Sequence, residues 1–143
     1  MSSSPVVNNW QAGVVATDFG DVVSYPEMAL DQFLTSKFGQ SASDRTIGSG
    51  RPIYGAMHVP VAGKDCGIQV KFNTDRTVRN VTIAIHGSPI LYDYEELAKQ
   101  QTGYCFSEIH PVYFDAWGRV VLSHDPHFNC PYLVVEYGAV RRT

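Results

Sequence analysis

Along most of this chain apolar and polar residues alternate in short runs, interrupted again and again by Gly, Pro, Asn and Asp. That is the pattern of β-strands joined by tight turns. From Gly13 to Ser24 the run GVVATDFGDVVS predicts two short strands around Asp18-Phe19-Gly20-Asp21. Further strands are predicted over Ile53–Pro60, Gly67–Phe72, Val78–Ile85, Tyr104–Phe114, Arg119–Ser123 and Tyr132–Val140. Asn73-Thr74-Asp75-Arg76 supplies a turn between two of them, and Asp115-Ala116-Trp117-Gly118 closes a hairpin. The helical period appears twice. Tyr25-Pro26-Glu27 opens one helix, capped by Ser24 with Glu27 three residues on; Met28, Leu30, Phe33, Leu34 and Phe38 line its apolar side and Gly39 ends it. The second is a short polar helix over Asp93–Gln101, closed by Gly103. Residues 39–50, rich in Gly and Ser, read as a loop. About two helices and seven or eight strands make an α+β fold with a mostly antiparallel sheet.

Composition sharpens this picture. The chain has 143 residues, enough for one domain that needs no disulfide or metal to hold a core. We expect residues 1–10 to form a loose arm and residues 11–143 to form that domain. Apolar residues at 44% and charged residues at 17% exclude a disordered chain. A net charge of −3 without any polybasic run argues against nucleic acid and membrane surfaces as partners. No apolar stretch reaches the ~20 residues of a membrane span, and the start of the chain lacks the pattern of a secretion signal. A cytoplasmic protein, or one delivered into the cytoplasm of a target cell, is therefore expected. Cys66, Cys105 and Cys130 are odd in number and widely spaced, which predicts free thiols.

Four stretches could carry chemistry. In Arg51-Pro52-Ile53-Tyr54-Gly55-Ala56-Met57-His58 the Arg offers a planar fork for phosphate or carboxylate and the Tyr a ring to stack on; the alternative is an ordinary strand with a solvated Arg and a core Tyr. His86-Gly87-Ser88-Pro89 follows a strand, where Ser88 is a hydroxyl ligand or a turn residue. A buried hot-dog-type helix after it is rejected, because Asp93–Gln101 is polar almost all round. In Tyr104–His110, alternation puts Phe106, Glu108 and His110 on one face, with Glu108 able to hold a sugar hydroxyl or take a proton; the alternative is a polar surface strand. His124, His127 and Cys130 have metal-ligand types at spacings of three, but no partner pair from elsewhere, and no metal is expected.

Taken in order, Thr35–Ser41, Arg51–Met57, Gly67–Phe72, Arg79–Ser88, Tyr104–His110 and Val120–Pro126 resemble a bacterial family of toxin-like proteins with an R-P-x-Y-G-A-L pattern, similar in turn to the ADP-ribosyltransferase toxins and their phage-borne relatives. The resemblance spans about residues 35–130. It implies an ADP-ribosyltransferase-like fold and an NAD-dependent mono-ADP-ribosyltransferase or NAD glycohydrolase of bacterial toxin or effector type, with NAD as substrate. It further implies Glu108 as the catalytic acid residue, Arg51 on the NAD phosphate or ribose, Tyr54 against the nicotinamide and Ser88 at the end of a strand. His58 rivals Arg51, because some branches bind NAD through a His on the first strand. Two departures stand out: Gly87-Ser88-Pro89 replaces the usual Ser-Thr-Ser, and Phe106 stands where a Glu or Gln helps choose an Arg acceptor. The implied partner is a protein target of modification or a cognate immunity protein. The alternative is a catalytically inactive binding module on the same fold, of the immunity or phage-related kind.

Overall fold

The computed structural model describes residues 7–46, 50–125 and 130–138. Strands β1 (Val15–Ala16) and β2 (Val22–Ser24) form a small antiparallel ribbon. Helices α1 (Leu30–Thr35) and α2 (Lys37–Ser41) follow, then β3 (Ser43–Asp44), β4 (Ile53–Val61), β5 (Lys64–Phe72), β6 (Val78–Ile85), helix α3 (Leu91–Thr102), β7 (Val112–Asp115), β8 (Gly118–Asp125) and β9 (Cys130–Tyr137). The last seven strands make one sheet in the order β3-β4-β5-β6-β9-β8-β7. Every neighbouring pair in it is antiparallel. The α+β expectation with a mostly antiparallel sheet therefore holds.

Period-two alternation sorts the sheet into two faces. Cys66, Ile68, Val70 and Phe72 of β5, Val81, Ile83 and Ile85 of β6, Val120 and Leu122 of β8, and Leu133 and Val135 of β9 all face one core. The ribbon and all three helices pack on that side. Phe33 of α1 is fully buried and sits 5.4 Å from the rings of both Tyr54 and Phe72. From α3, Tyr94, Leu97 and Ala98 enter the same core. The Tyr94 hydroxyl donates to the Ile85 carbonyl at 3.2 Å and accepts from the Ile85 N–H at 2.8 Å, which satisfies the end of β6.

Among the described residues, no helix packs on the opposite face. One row of directly paired residues crosses it: Val112, Val121, Val134, Thr82, Gln69 and Gly55. The adjacent row runs Phe114, Arg119, Glu136, Asn80 and Lys71. Phe114 is 59% exposed, and the Arg119 Nε lies 2.5 Å from Glu136 Oε1.

Several local expectations change. The first helix starts at Leu30, not at Tyr25-Pro26-Glu27. Ser24 cannot cap it, because its hydroxyl is buried and bonded to the Tyr137 hydroxyl at 2.6 Å, and Glu27 has a left-handed φ of 65°. The predicted single helix is two. Ser36 breaks it with extended backbone, and its hydroxyl accepts from the Gly39 N–H to start α2. Gly39 is thus inside a helix, where a Cβ would lie 1.7 Å from the Phe33 carbonyl oxygen. Of the strand predicted over Tyr104–Phe114 only Val112–Phe114 is strand; residues 104–111 are loop. The helix after β6 is not polar all round, since Tyr94, Leu97, Ala98 and Thr102 form a buried stripe. Trp10, assigned to the arm, is packed: it is fully buried and its indole N–H donates to the Asn8 side chain.

Candidate functional site

The sheet has two ends. At one, β4 turns into β5 through Val61 and Lys64, and β6 leaves the sheet at Ile85. At the other, β4 begins at Ile53 opposite Lys71. Most candidate residues gather at the first end. His58 and Asp65 lie there on β4 and β5, and His86 and Ser88 immediately follow β6. Glu108 lies in the loop before β7, beside Ser123 and His124 of β8. Arg51 precedes β4 and stands at the opposite end. Glu108 and Arg51 are thus divided both along the strands and by about 20 Å across them, at roughly 4.8 Å per strand from β4 to β8.

Each predicted residue has a definite setting. Tyr54 points inward: its ring packs on Phe33 and on Phe72 in the aromatic core. The Ser88 hydroxyl donates to the Asp93 carboxylate, which ties the turn after β6 to the first turn of α3. The loop around Glu108 breaks the expected alternation, so Phe106 is buried while Glu108 and His110 are exposed. Glu108 borders a shallow pocket of about 230 Å³ with Leu91, Ser107, Pro111, Leu122, Ser123 and His124. His124 is exposed on β8 and Cys130 half-buried on β9, whereas His127, predicted with them, lies outside the described residues.

The tightest constellation is His58, Asp65 and His86. Asp65 and His86 flank buried Cys66 and Ile85, so alternation turns both toward the uncovered face. The His86 N–H donates to the Asp65 carbonyl at 2.8 Å. His58 arrives by a bulge. Ala56 pairs with Ile68 and Val59 with Cys66, so two residues, Met57 and His58, oppose Gly67 alone. His58 takes a left-handed φ of 56°, a strained state for a residue with a side chain. Its Nδ1 is 3.0 Å from Asp65 Oδ2, and its backbone N–H donates to His86 Nε2 at 3.4 Å. The two imidazoles lie 4.7 Å apart and tilted by 36°. Gly67 makes this possible: a Cβ there would come within 3.3 Å of His86 Cε1 and Nε2.

Next to this cluster a groove of about 230 Å³ runs over the uncovered face, floored by Gly55, Gly67 and Ala84 and walled by Arg45 and Met57. The Arg45 side chain lies across Gly55, where a Cβ would meet its Nε at 3.0 Å. Sequence reasoning singled out His58 only as a rival NAD ligand and His86 only within a turn after a strand, and passed over Asp65 and Arg45. Only strand register reveals those two, because neither stands in a local pattern.

The thiols behave as their settings dictate. None of Cys66, Cys105 and Cys130 forms a disulfide among the described residues. Burial, helped by the Asp65 and Asp18 carboxylates, pushes the Cys66 thiol from the ordinary 9.0 up to about 12. A thiol raised on folding stabilises the fold below the unfolded value, and that contribution is lost as pH rises through the folded one. Stability carried by Cys66 is therefore expected to fall between about pH 9 and 12. Urea melts across that window should show a decline that Cys66→Ala reduces. Disulfide-exchange labelling of the native protein should modify exposed Cys105 and spare Cys66, which reacts on unfolding.

No family model, characterised protein or solved structure matches this chain.

Proposed function

We propose that this protein is a protein-binding module of the immunity or phage-related kind, acting through the uncovered face of its sheet, and not an NAD-cleaving transferase. The observation that carries the reading is that bare face. Val112, Val121 and Val134 lie side by side on it, with exposed Phe114 in the next row and the charges of Arg119, Glu136 and Lys71 around them. An apolar centre with a polar rim is the usual make-up of a protein interface. Of the residues an NAD site would need, Arg51 stands at the end of the sheet opposite Glu108 and the Tyr54 ring is engaged in the core. His58 on β4 and Ser88 after β6 share the end of Glu108, but other strands lie between them and β8, beside which Glu108 stands. The ADP-ribosyltransferase-like form of the fold belongs with the transferase reading and stands or falls with it.

Incubation with NAD labelled in its nicotinamide should release no label above the buffer rate. Release that disappears in Glu108→Gln would overturn the module reading and restore the transferase. In cells, cross-linking should join the wild-type chain to a protein partner that Val134→Arg no longer captures. A partner held equally by both chains would exclude the proposed face. Val134 is half-buried on an open face, so the variant should still fold and give the same thermal melt to within a few degrees.

A further inference from the structure

We propose that His58, Asp65 and His86 form a binding site for a divalent transition-metal ion. The proposal does not rest on the module reading above. One ligand atom from each residue can be chosen so that all three lie within 4.8 Å of one another. Around a tetrahedral ion held at about 2.0–2.2 Å, ligand atoms are roughly 3.3–3.5 Å apart. Small side-chain rotations close the remaining gap, and the two most exposed members can make them: the side chains of His58 and Asp65 are 71% and 56% exposed.

The donor set selects the class of ion. Two imidazoles and one carboxylate suit zinc, nickel, copper or ferrous iron, whereas calcium and magnesium take oxygen ligands alone. Cys66, next to Asp65, contributes no thiolate, because its side chain faces the core. Three protein ligands leave a position open to solvent, the arrangement of sites where the ion meets a ligand or a substrate. The groove floored by Gly55 and Gly67, with the Arg45 guanidinium at its wall, adjoins the cluster where Gly67 meets the His86 ring.

The backbone around the cluster goes beyond what a simple ion pair requires. An exposed His58–Asp65 pair contributes little to folding by itself. It needs neither the second imidazole nor the missing side chain at Gly67. Val59 and Val61 are buried, so alternation turns His58 to the outer face, and the bulge keeps Met57 exposed beside it instead of in the core. The bulge adds a residue, puts His58 into a left-handed turn and sets it over Gly67 beside His86. Bulges that re-aim one side chain recur next to functional sites. Two adjacent strands and the turn that leaves a third thus bring three candidate ligands to one face.

The test uses the full chain, stripped with a chelator, dialysed, and titrated with zinc chloride in a calorimeter. One ion should bind per chain. His58→Ala and His86→Ala should each weaken binding by about tenfold or more, the loss typical even of a group one bond further from the metal. Thermal melts of the metal-free variants should match the wild type, because the changed side chains lie at the surface. Cobalt(II) in place of zinc should show d–d bands without a thiolate charge-transfer band. Three results would overturn the proposal: no binding to the wild type, equal affinity in the His58→Ala/His86→Ala double variant, or a thiolate band that assigns the ion to Cys105 or Cys130.

Discussion

Phe33→Ala should lower the unfolding free energy by about 3–5 kcal/mol, the range for deleting a buried aromatic side chain. Domains of this size are stable by only about 5–15 kcal/mol, so the variant would lose a large part of its margin. The magnitude follows from what Phe33 joins. Its ring contacts Phe38 at 6.0 Å, Tyr54 at 5.4 Å and Phe72 at 5.4 Å, and so links α1, α2, β4 and β5. Removing it leaves a cavity between helix and sheet that those three rings cannot fill without leaving their own contacts. Urea denaturation should show a lower midpoint with an unchanged slope. Ile109→Ala, at a residue 82% exposed, serves as control and should shift stability by less than about 0.5 kcal/mol. Equal midpoints for the two variants would mean that the aromatic cluster does not hold the helices to the sheet.

Gly118→Ala should cost about 3 kcal/mol, the upper end of what overpacking does to a well-packed site. Gly118 begins β8 opposite Tyr137, and an added Cβ would lie 2.0 Å from the Glu136 carbonyl oxygen and 3.0 Å from Tyr137 Cα. Those are backbone atoms of the paired strand, so relief requires the strands to separate and the Asp115–Gly118 hairpin to reshape. Gly63→Ala isolates the other cost of replacing a glycine. Gly63 has a φ of 78° with nothing near its missing Cβ, so it should lose only the roughly 1–2 kcal/mol of a left-handed residue. Thermal melts of the two variants give the comparison directly. A Gly118→Ala protein as stable as Gly63→Ala would show that β8 and β9 do not meet in this register.

Much of the architecture is legible residue by residue. The limits of β6 and the turn at Asn73–Arg76 follow from alternation and turn chemistry, both of which act over a few residues. Gly103 ends α3 in the left-handed conformation its position predicts. That none of the three cysteines forms a disulfide among the described residues agrees with their number and spacing. Local signals fail where a distant partner outbids them. Ser24 has the residue type and spacing of a helix cap, yet Tyr137, far along the chain, takes its hydroxyl. Tyr104–His110 alternates like a strand, yet among the described residues it joins no strand ladder, and it remains a loop.

The candidate site divides the same way. The sequence by itself determines which residue types are at hand: an Arg before a strand, a His in it, a His after another, a Glu beside an aromatic. Tertiary structure alone decides which of them meet. Strand order sends Arg51 and Glu108 to opposite ends of one sheet, a separation set by the β6–β9 and β8–β9 pairings and written in no local pattern. Register puts Asp65 beside His86, and alternation from buried Val59 turns His58 to the same face, where the bulge in β4 sets it opposite Gly67. A shift of one residue reverses every side chain of a strand, so a cluster built from two strands and the turn that leaves a third exists only once all their registers are fixed together.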